Sequence, residues 1–136
     1  MMHALLTILF ILLTTTAFAD SAGCPKYDRK SYRHWIDEDK DCQNARHEVL
    51  IEESLSTVGF KSSKGCKVVS GSWNGRYSGR TITDATKLDI DHMVPLKEAH
   101  QSCAANWSRE CKRASANDLD DPDTLIAVDR GLNRQK

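Results

Sequence analysis

The segment "KLDIDHMVPL", Lys87 to Leu96, places Asp89, Asp91 and His92 close together in an otherwise apolar stretch. A carboxylate is a hard oxygen ligand of the kind Mg²⁺ takes, and a neutral imidazole near its ordinary pKa is a usable base at neutral pH. The alternation of apolar and polar residues predicts a strand. Successive side chains then point to opposite faces, so Asp89 and Asp91 share one face while Leu88, Ile90 and His92 share the other. Pro95 cannot continue a central ladder, so the strand should end at about Val94. Twist at that end is expected to let Asp91 and His92 border one cleft. A histidine on a strand is more often a packing residue, so the surroundings must decide.

Those surroundings read as one α+β domain. A short helix is expected from Ser31 to Ile36. In "DCQNARHEVLIEESLSTVGF", Asp41 is the expected N-cap of a helix with Ala45, Val49, Ile51, Leu55 and Val58 on its apolar face. Asn74-Gly75 favours a two-residue type I′ turn, so Lys67 to Ile82 is expected to be a β-hairpin. "LKEAHQSCAANWSRECKRASANDL" reads as one helix or two short ones, "TLIAV" as a buried strand, and "DRGLNRQK" as the start of a final helix.

At the N-terminus an apolar run from Ala4 to Leu13 precedes small residues at Ala17 and Ala19, the pattern of a secretory signal peptide over residues 1–19. The run is short for a bilayer span, which takes about 20 residues, so a cleaved leader is expected and a retained anchor is the lesser alternative. Residues 20–136 are then one domain, expected to be monomeric and free of the membrane. All five cysteines follow the leader, where an oxidising compartment permits bridges. Cys42 with Cys66 is the favoured pair, joining a helix start to a strand, and Cys103 with Cys111 is the second choice. No Cys/His spacing suggests zinc.

The 19 basic and 19 acidic residues cancel, which argues against a polyelectrolyte-binding molecule as a whole. Their distribution is uneven. Lys61, Lys64, Lys67, Arg76, Arg80 and Lys87 face only Asp84 in the middle of the chain, between the acidic "IDEDKD" and "NDLDDPD". A basic hairpin fits a polyanion met locally, and a solvated charged surface fits as well.

"LDIDHMVPL", then "ANDL", "TLIAV" and "LNRQK", together with "DCQNARHEVLIEESL" and the C-x-V-x-x-G-x-W hairpin, resemble the HNH endonucleases of the ββα-metal (His-Me finger) superfamily. The likeness is strongest to the small secreted branch related to the C-terminal domain of GmrSD-type restriction enzymes, and it runs from about Tyr27 to the last residue. It implies a ββα-metal core carrying an N-terminal helix and a β-hairpin, and a domain short at its C-terminal end. It also implies His92 as general base, Asp91 and Asn133 as ligands of Mg²⁺ or another divalent cation, and Asn117 as the residue holding the loop and imidazole in register. Asp89 is implied as an orienting acid. The activity implied is hydrolysis of nucleic-acid phosphodiesters, DNA foremost, although phosphate chemistry does not separate DNA from RNA. Arg76, Arg80, Lys87, Arg130 and Arg134, with Arg113, are the candidates for flanking phosphates.

A second function class stays open, a non-catalytic secreted binding module, either a relative that has lost catalysis or a domain stabilised by Ca²⁺. Asp37, Asp39, Asp41 and Glu48 occupy positions one, three, five and twelve of an EF-hand-like loop, with Cys42 where the sixth-position glycine belongs. His34, His47 and His100 read as surface or packing residues. Trp35, Trp73 and Trp107 read as core anchors, with base stacking as the lesser alternative.

Overall fold

A computed structural model describes residues 24–135. The leader expected over residues 1–19 lies outside the described residues. Two small antiparallel sheets, one of three strands and one of two, share a core with short helices.

The first helix, α1 (Ala45–Glu52), starts at Asn44, whose side chain accepts the His47 N–H. The expected cap Asp41 instead accepts the Gln43 N–H at 2.7 Å, tightening the loop ahead of the helix. From α1, Ala45, Val49 and Leu50 enter the core with Trp73, Leu88, Ile90 and Leu125. Arg46 donates to the carbonyls of Ala85 and Leu88 at 3.1 and 3.0 Å, pinning the entry to the strand that bears the acids. The helix expected over Ser31 to Ile36 is instead a 3-10 turn, Arg29–Tyr32, stopped by Arg33 in the left-handed region at φ 45°.

Strand β1 (Gly59–Phe60), unanticipated from sequence, pairs with β2 (Val68–Asn74), which pairs in turn with β3 (Thr81–Asp84). The hairpin is therefore present, but not its two-residue turn, because Asn74 pairs with Thr81 and leaves residues 75–80 as a loop. Asp129 draws that loop in. Its carboxylate accepts the Tyr77 N–H at 3.1 Å and the Ser78 hydroxyl at 2.5 Å. Gly75 lies so close that an added Cβ would stand 2.7 Å from the Asp129 carboxylate. The glycine thus serves a close approach rather than a type I′ turn.

Strands β4 (Leu88–His92) and β5 (Leu125–Asp129) pair antiparallel, in unbroken register from Leu88 opposite Asp129 to His92 opposite Leu125. The ladder ends at His92, short of Val94, although the Met93 N–H still reaches the Thr124 carbonyl at 3.0 Å. Between the strands the helical stretch divides into α2 (Leu96–Gln101), a 3-10 turn (Ala104–Asn106) and α3 (Arg109–Ala116), the last capped by Ser108. Immediately after β5 comes α4 (Arg130–Asn133).

Trp73 is a core anchor, with its indole N–H donating to the Leu50 carbonyl at 2.8 Å. Trp35 packs partly buried against the core, whereas Trp107 is exposed, contrary to the expectation for it. His100 is a buried packing residue held by the Tyr32 hydroxyl and the Pro25 carbonyl. No helix among the described residues is long and apolar enough to cross a membrane.

Cys42 and Cys66 are disulfide-bonded across 24 residues, joining the start of α1 to the start of β2. Closing a loop of that size stabilises by about 3 kcal/mol, so the Cys42→Ser/Cys66→Ser protein should lose about that much in urea unfolding. Cys24, Cys103 and Cys111 are free and exposed, so the second expected pair does not form.

Candidate functional site

Along β4 the side chains alternate as the pleat requires. Leu88, Ile90 and His92 are buried, and Asp89 and Asp91 are half-buried on the other face.

Asp89 is clamped by Arg134, which donates from Nε at 2.9 Å and from Nη2 at 3.1 Å. The Asn133 amide also donates to it, at 3.4 Å. Burial works against the Asp89 charge, but Arg134 and Asn133 outweigh it and hold the carboxyl below its ordinary range. With its nitrogen directed to Asp89, Asn133 presents Oδ1, a buried acceptor with no hydrogen-bond partner. A carbonyl oxygen left this way costs about 1–3 kcal/mol unless something else satisfies it. A hard cation takes amide oxygens of this kind, so Asn133 Oδ1 is an atom that could serve Mg²⁺ as a ligand.

Asp91 accepts the Tyr77 hydroxyl at 3.4 Å. Tyr77 stands in the 75–80 loop that Asp129 organises, so a buried acid on β5 indirectly positions a partner of Asp91. Burial disfavours the Asp129 charge, yet Ser78 and the Tyr77 and Ser78 N–H groups lower its pKa overall. A depressed carboxylate contributes stability that is fully present above the unfolded pKa of about 3.9 and is lost as pH falls through the folded value. Asp129→Asn should therefore show a shallower loss of stability below about pH 4, and should cost about 2 kcal/mol at neutral pH, both read by urea unfolding.

His92 donates from Nε2 to the Ala116 carbonyl at 3.0 Å, since a carbonyl can only accept. The neutral ring then carries its lone pair on Nδ1, which has no hydrogen-bond partner among the described residues. Trp35 packs against the imidazole with ring centroids 5.6 Å apart. Burial is the main force lowering the His92 pKa. The Ala116 carbonyl opposes it, Arg29 adds to it, and Asp91 opposes it weakly.

Asn117 ties the shell around this ring together. Its Oδ1 accepts the Ile36 N–H at 3.0 Å, and its Nδ2 donates to the Arg33 and Arg113 carbonyls at 3.0 and 2.8 Å. The next residue back, Ala116, supplies the carbonyl that orients His92. Asp91 and His92 leave opposite faces of β4, and the cavity that His92 lines does not include Asp91 among its walls. The single cleft expected for the pair is therefore not formed in this arrangement, because the ladder holds its pleat to His92 itself.

Arg80, Lys87, Arg130 and Arg134 line one open groove of about 770 Å³ between β3 and α4. Arg130 donates to the Thr86 carbonyl at 3.2 Å, and Arg134 is committed to Asp89. Arg76 is not in this groove; it faces Glu53 and Asp123 at 3.9 and 3.7 Å. Arg113 is ion-paired with Glu38.

In the acidic loop, Asp37, Asp39 and Asp41 bring carboxylate oxygens within 4.8 Å of one another. Cys42 adopts φ 78°, the left-handed turn for which glycine was expected, and is held there by its disulfide and by its N–H to Asp37 at 3.0 Å. Glu48 stands outside that triad, its pKa raised by burial and by the three aspartates.

Sequence reasoning missed Tyr77, Asp129, Arg29 and Trp35 around these groups. The signal for Asp129 lay in "IAVD", a charged residue closing a buried strand; Arg29 and Trp35 reach His92 only through the fold.

No family model and no solved structure matches the chain. It is 39% identical over 110 residues to an "uncharacterized secreted protein" of Arthroderma benhamiae, a match covering 81% of this chain. The chain spans about half, 52%, of that relative's length. The protein is secreted, the localisation expected from the signal-peptide pattern in its sequence.

Proposed function

We propose that the protein is a metal-dependent endonuclease that hydrolyses nucleic-acid phosphodiesters, with His92 as general base. The observation that carries this reading is the orphaned Asn133 Oδ1, buried beside Asp89 where α4 crosses the face of β4 that bears both acids. The order β4, β5, α4 agrees with the ββα-metal resemblance drawn from "LDIDHMVPL" and "LNRQK".

Asp91 and Asn133 would hold the divalent cation, and Asp89 would orient Asn133. Bound there, Mg²⁺ would supply charge neutralisation to the phosphate and the departing 3′ oxygen. His92 would take the proton of the attacking water at Nδ1, with Ala116 fixing the tautomer and Trp35 the ring plane. Its depressed pKa keeps it neutral, and so competent as a base, at physiological pH. Because Asp91 and His92 occupy opposite faces of β4, productive binding would require the last pairs of the ladder, at Asp91 and His92, to depart from the pleat. Arg80, Lys87 and Arg130 would hold backbone phosphates beyond the scissile one.

Purified wild type should cleave plasmid, single-stranded DNA or RNA with Mg²⁺ and stop in EDTA; failure on all three ends the proposal. A second reading, a Ca²⁺-stabilised binding module, draws on the Asp37–Asp39–Asp41 triad. A melting temperature raised by Ca²⁺ but not Mg²⁺, in protein that cuts nothing, would favour it.

A further inference from the structure

His92 lines a cavity of about 360 Å³ whose other walls the hydrolytic chemistry leaves unused. Met93, Val94 and Trp107 line it, exposed by 53%, 59% and 43%. Large apolar side chains so exposed, gathered around one hollow, mark a binding surface. Trp107 is held in extended backbone between two helical segments. Its N–H donates to the Ala104 carbonyl at 3.1 Å, and the next residue, Ser108, caps α3. The indole is therefore presented from a fixed point rather than from a mobile tip.

Size and charge narrow the occupant. Ligand sites run from about 300 Å³ upward, so this hollow admits one planar heterocycle with its sugar and no duplex. Its rim carries Asp118, Asp121 and Asp123, which repel a phosphate. Asp123 faces Arg76 at 3.7 Å. In Asp118 and Asp121, Oδ1 accepts the Asp120 and Asp123 N–H at 3.0 and 2.9 Å, and the second oxygen of each has no bond among the described residues. Carboxylate oxygens in that state accept from the amino groups of cytosine, adenine and guanine, which thymine and uracil lack.

We infer that this cavity takes one unpaired, amino-bearing nucleobase, stacked on Trp107 with its amino edge toward Asp118 and Asp121. Placing that base in the strand being cut rests on the nuclease reading; the stacking itself does not. The consequence is a preference for single strands over duplex, and for cytosine over thymine, since a paired base would have to leave its stack to enter.

The test measures binding apart from cleavage. Fluorescence anisotropy in EDTA would compare labelled oligo-dC, oligo-dT and a duplex on wild type, Trp107→Ala, Trp107→Phe and Asp121→Asn. Asparagine can keep the Oδ1 bond to Asp123. Oligo-dC should bind wild type at least about fivefold more tightly than oligo-dT or duplex. Trp107→Ala should weaken oligo-dC by about fivefold or more, the lower end of what a stacked base contributes. Trp107→Phe should restore most of that loss, and Asp121→Asn should bring dC and dT within about twofold. Equal binding of strand and duplex, or unchanged binding by Trp107→Ala with an unchanged melting temperature, would overturn the inference. The two readings separate cleanly. Wild type that cuts nothing but binds oligo-dC through Trp107 sinks the nuclease alone, and wild type that cuts with Mg²⁺ but ignores Trp107→Ala sinks the base pocket alone.

Discussion

His92→Ala is expected to lower the cleavage rate by about 10²–10⁴-fold, the range a positioned general base supplies. The fold should survive. His92 closes the β4 ladder at its last pair, opposite Leu125, and the backbone bonds there do not need the ring. Loss of the Ala116 bond and of packing on Trp35 should cost about 1–3 kcal/mol, seen as a lower melting temperature with an unchanged far-UV spectrum. A pH profile gives a second reading of the same residue. Burial holds the folded pKa below the ordinary 6.5, so the acid limb of kcat/KM should fall below that value. The sign for stability follows from the same shift. The unfolded chain binds the proton more readily, so stability is complete above about 6.5 and declines as pH drops from there toward the folded pKa. A wild-type acid limb well above 6.5 would mean that another group is the base.

Asn133→Leu should separate stability from function. Its Oδ1 is buried and unbonded, and its amide makes only a long bond to Asp89. Replacing both polar groups with carbon should leave the melting temperature unchanged or raise it, because the orphaned acceptor disappears. Cleavage should nevertheless fall by about 100-fold or more at fixed Mg²⁺. An ordinary structural asparagine would give the opposite pattern, lower stability with activity retained in the folded fraction. Asp89→Asn is the companion variant. It releases Arg134 and weakens the hold on Asn133, and should lower activity by about 10–100-fold through an increased requirement for Mg²⁺.

The elements legible in the sequence were those with a local signal. Alternation in "KLDIDHMV" and the apolar "TLIAV" marked β4 and β5, and the pairing of Cys42 with Cys66 followed from where they flank α1 and β2. What could not be read depended on long-range contacts. Asn74-Gly75 signalled a tight turn, but Asp129, distant in sequence, pulls the loop open and uses the glycine for clearance. Asn44 took the capping role from Asp41 because the three aspartates are engaged in holding their own loop. At the candidate site, alternation correctly assigned the faces of Asp89 and Asp91, whereas the expectation that twist would bring Asp91 and His92 into one cleft was not met. Arg76 has the composition of a phosphate ligand but stands among Glu53 and Asp123, a placement no local pattern encodes.

Nuclease activity is proposed to need both His92 and a divalent cation. The most direct test is conversion of supercoiled plasmid to nicked and linear forms by wild type and His92→Ala at equal concentration, each with Mg²⁺ and with EDTA. Cutting only by wild type with Mg²⁺ is the expected result, and cutting that persists in His92→Ala at the wild-type rate, or in EDTA, would contradict it.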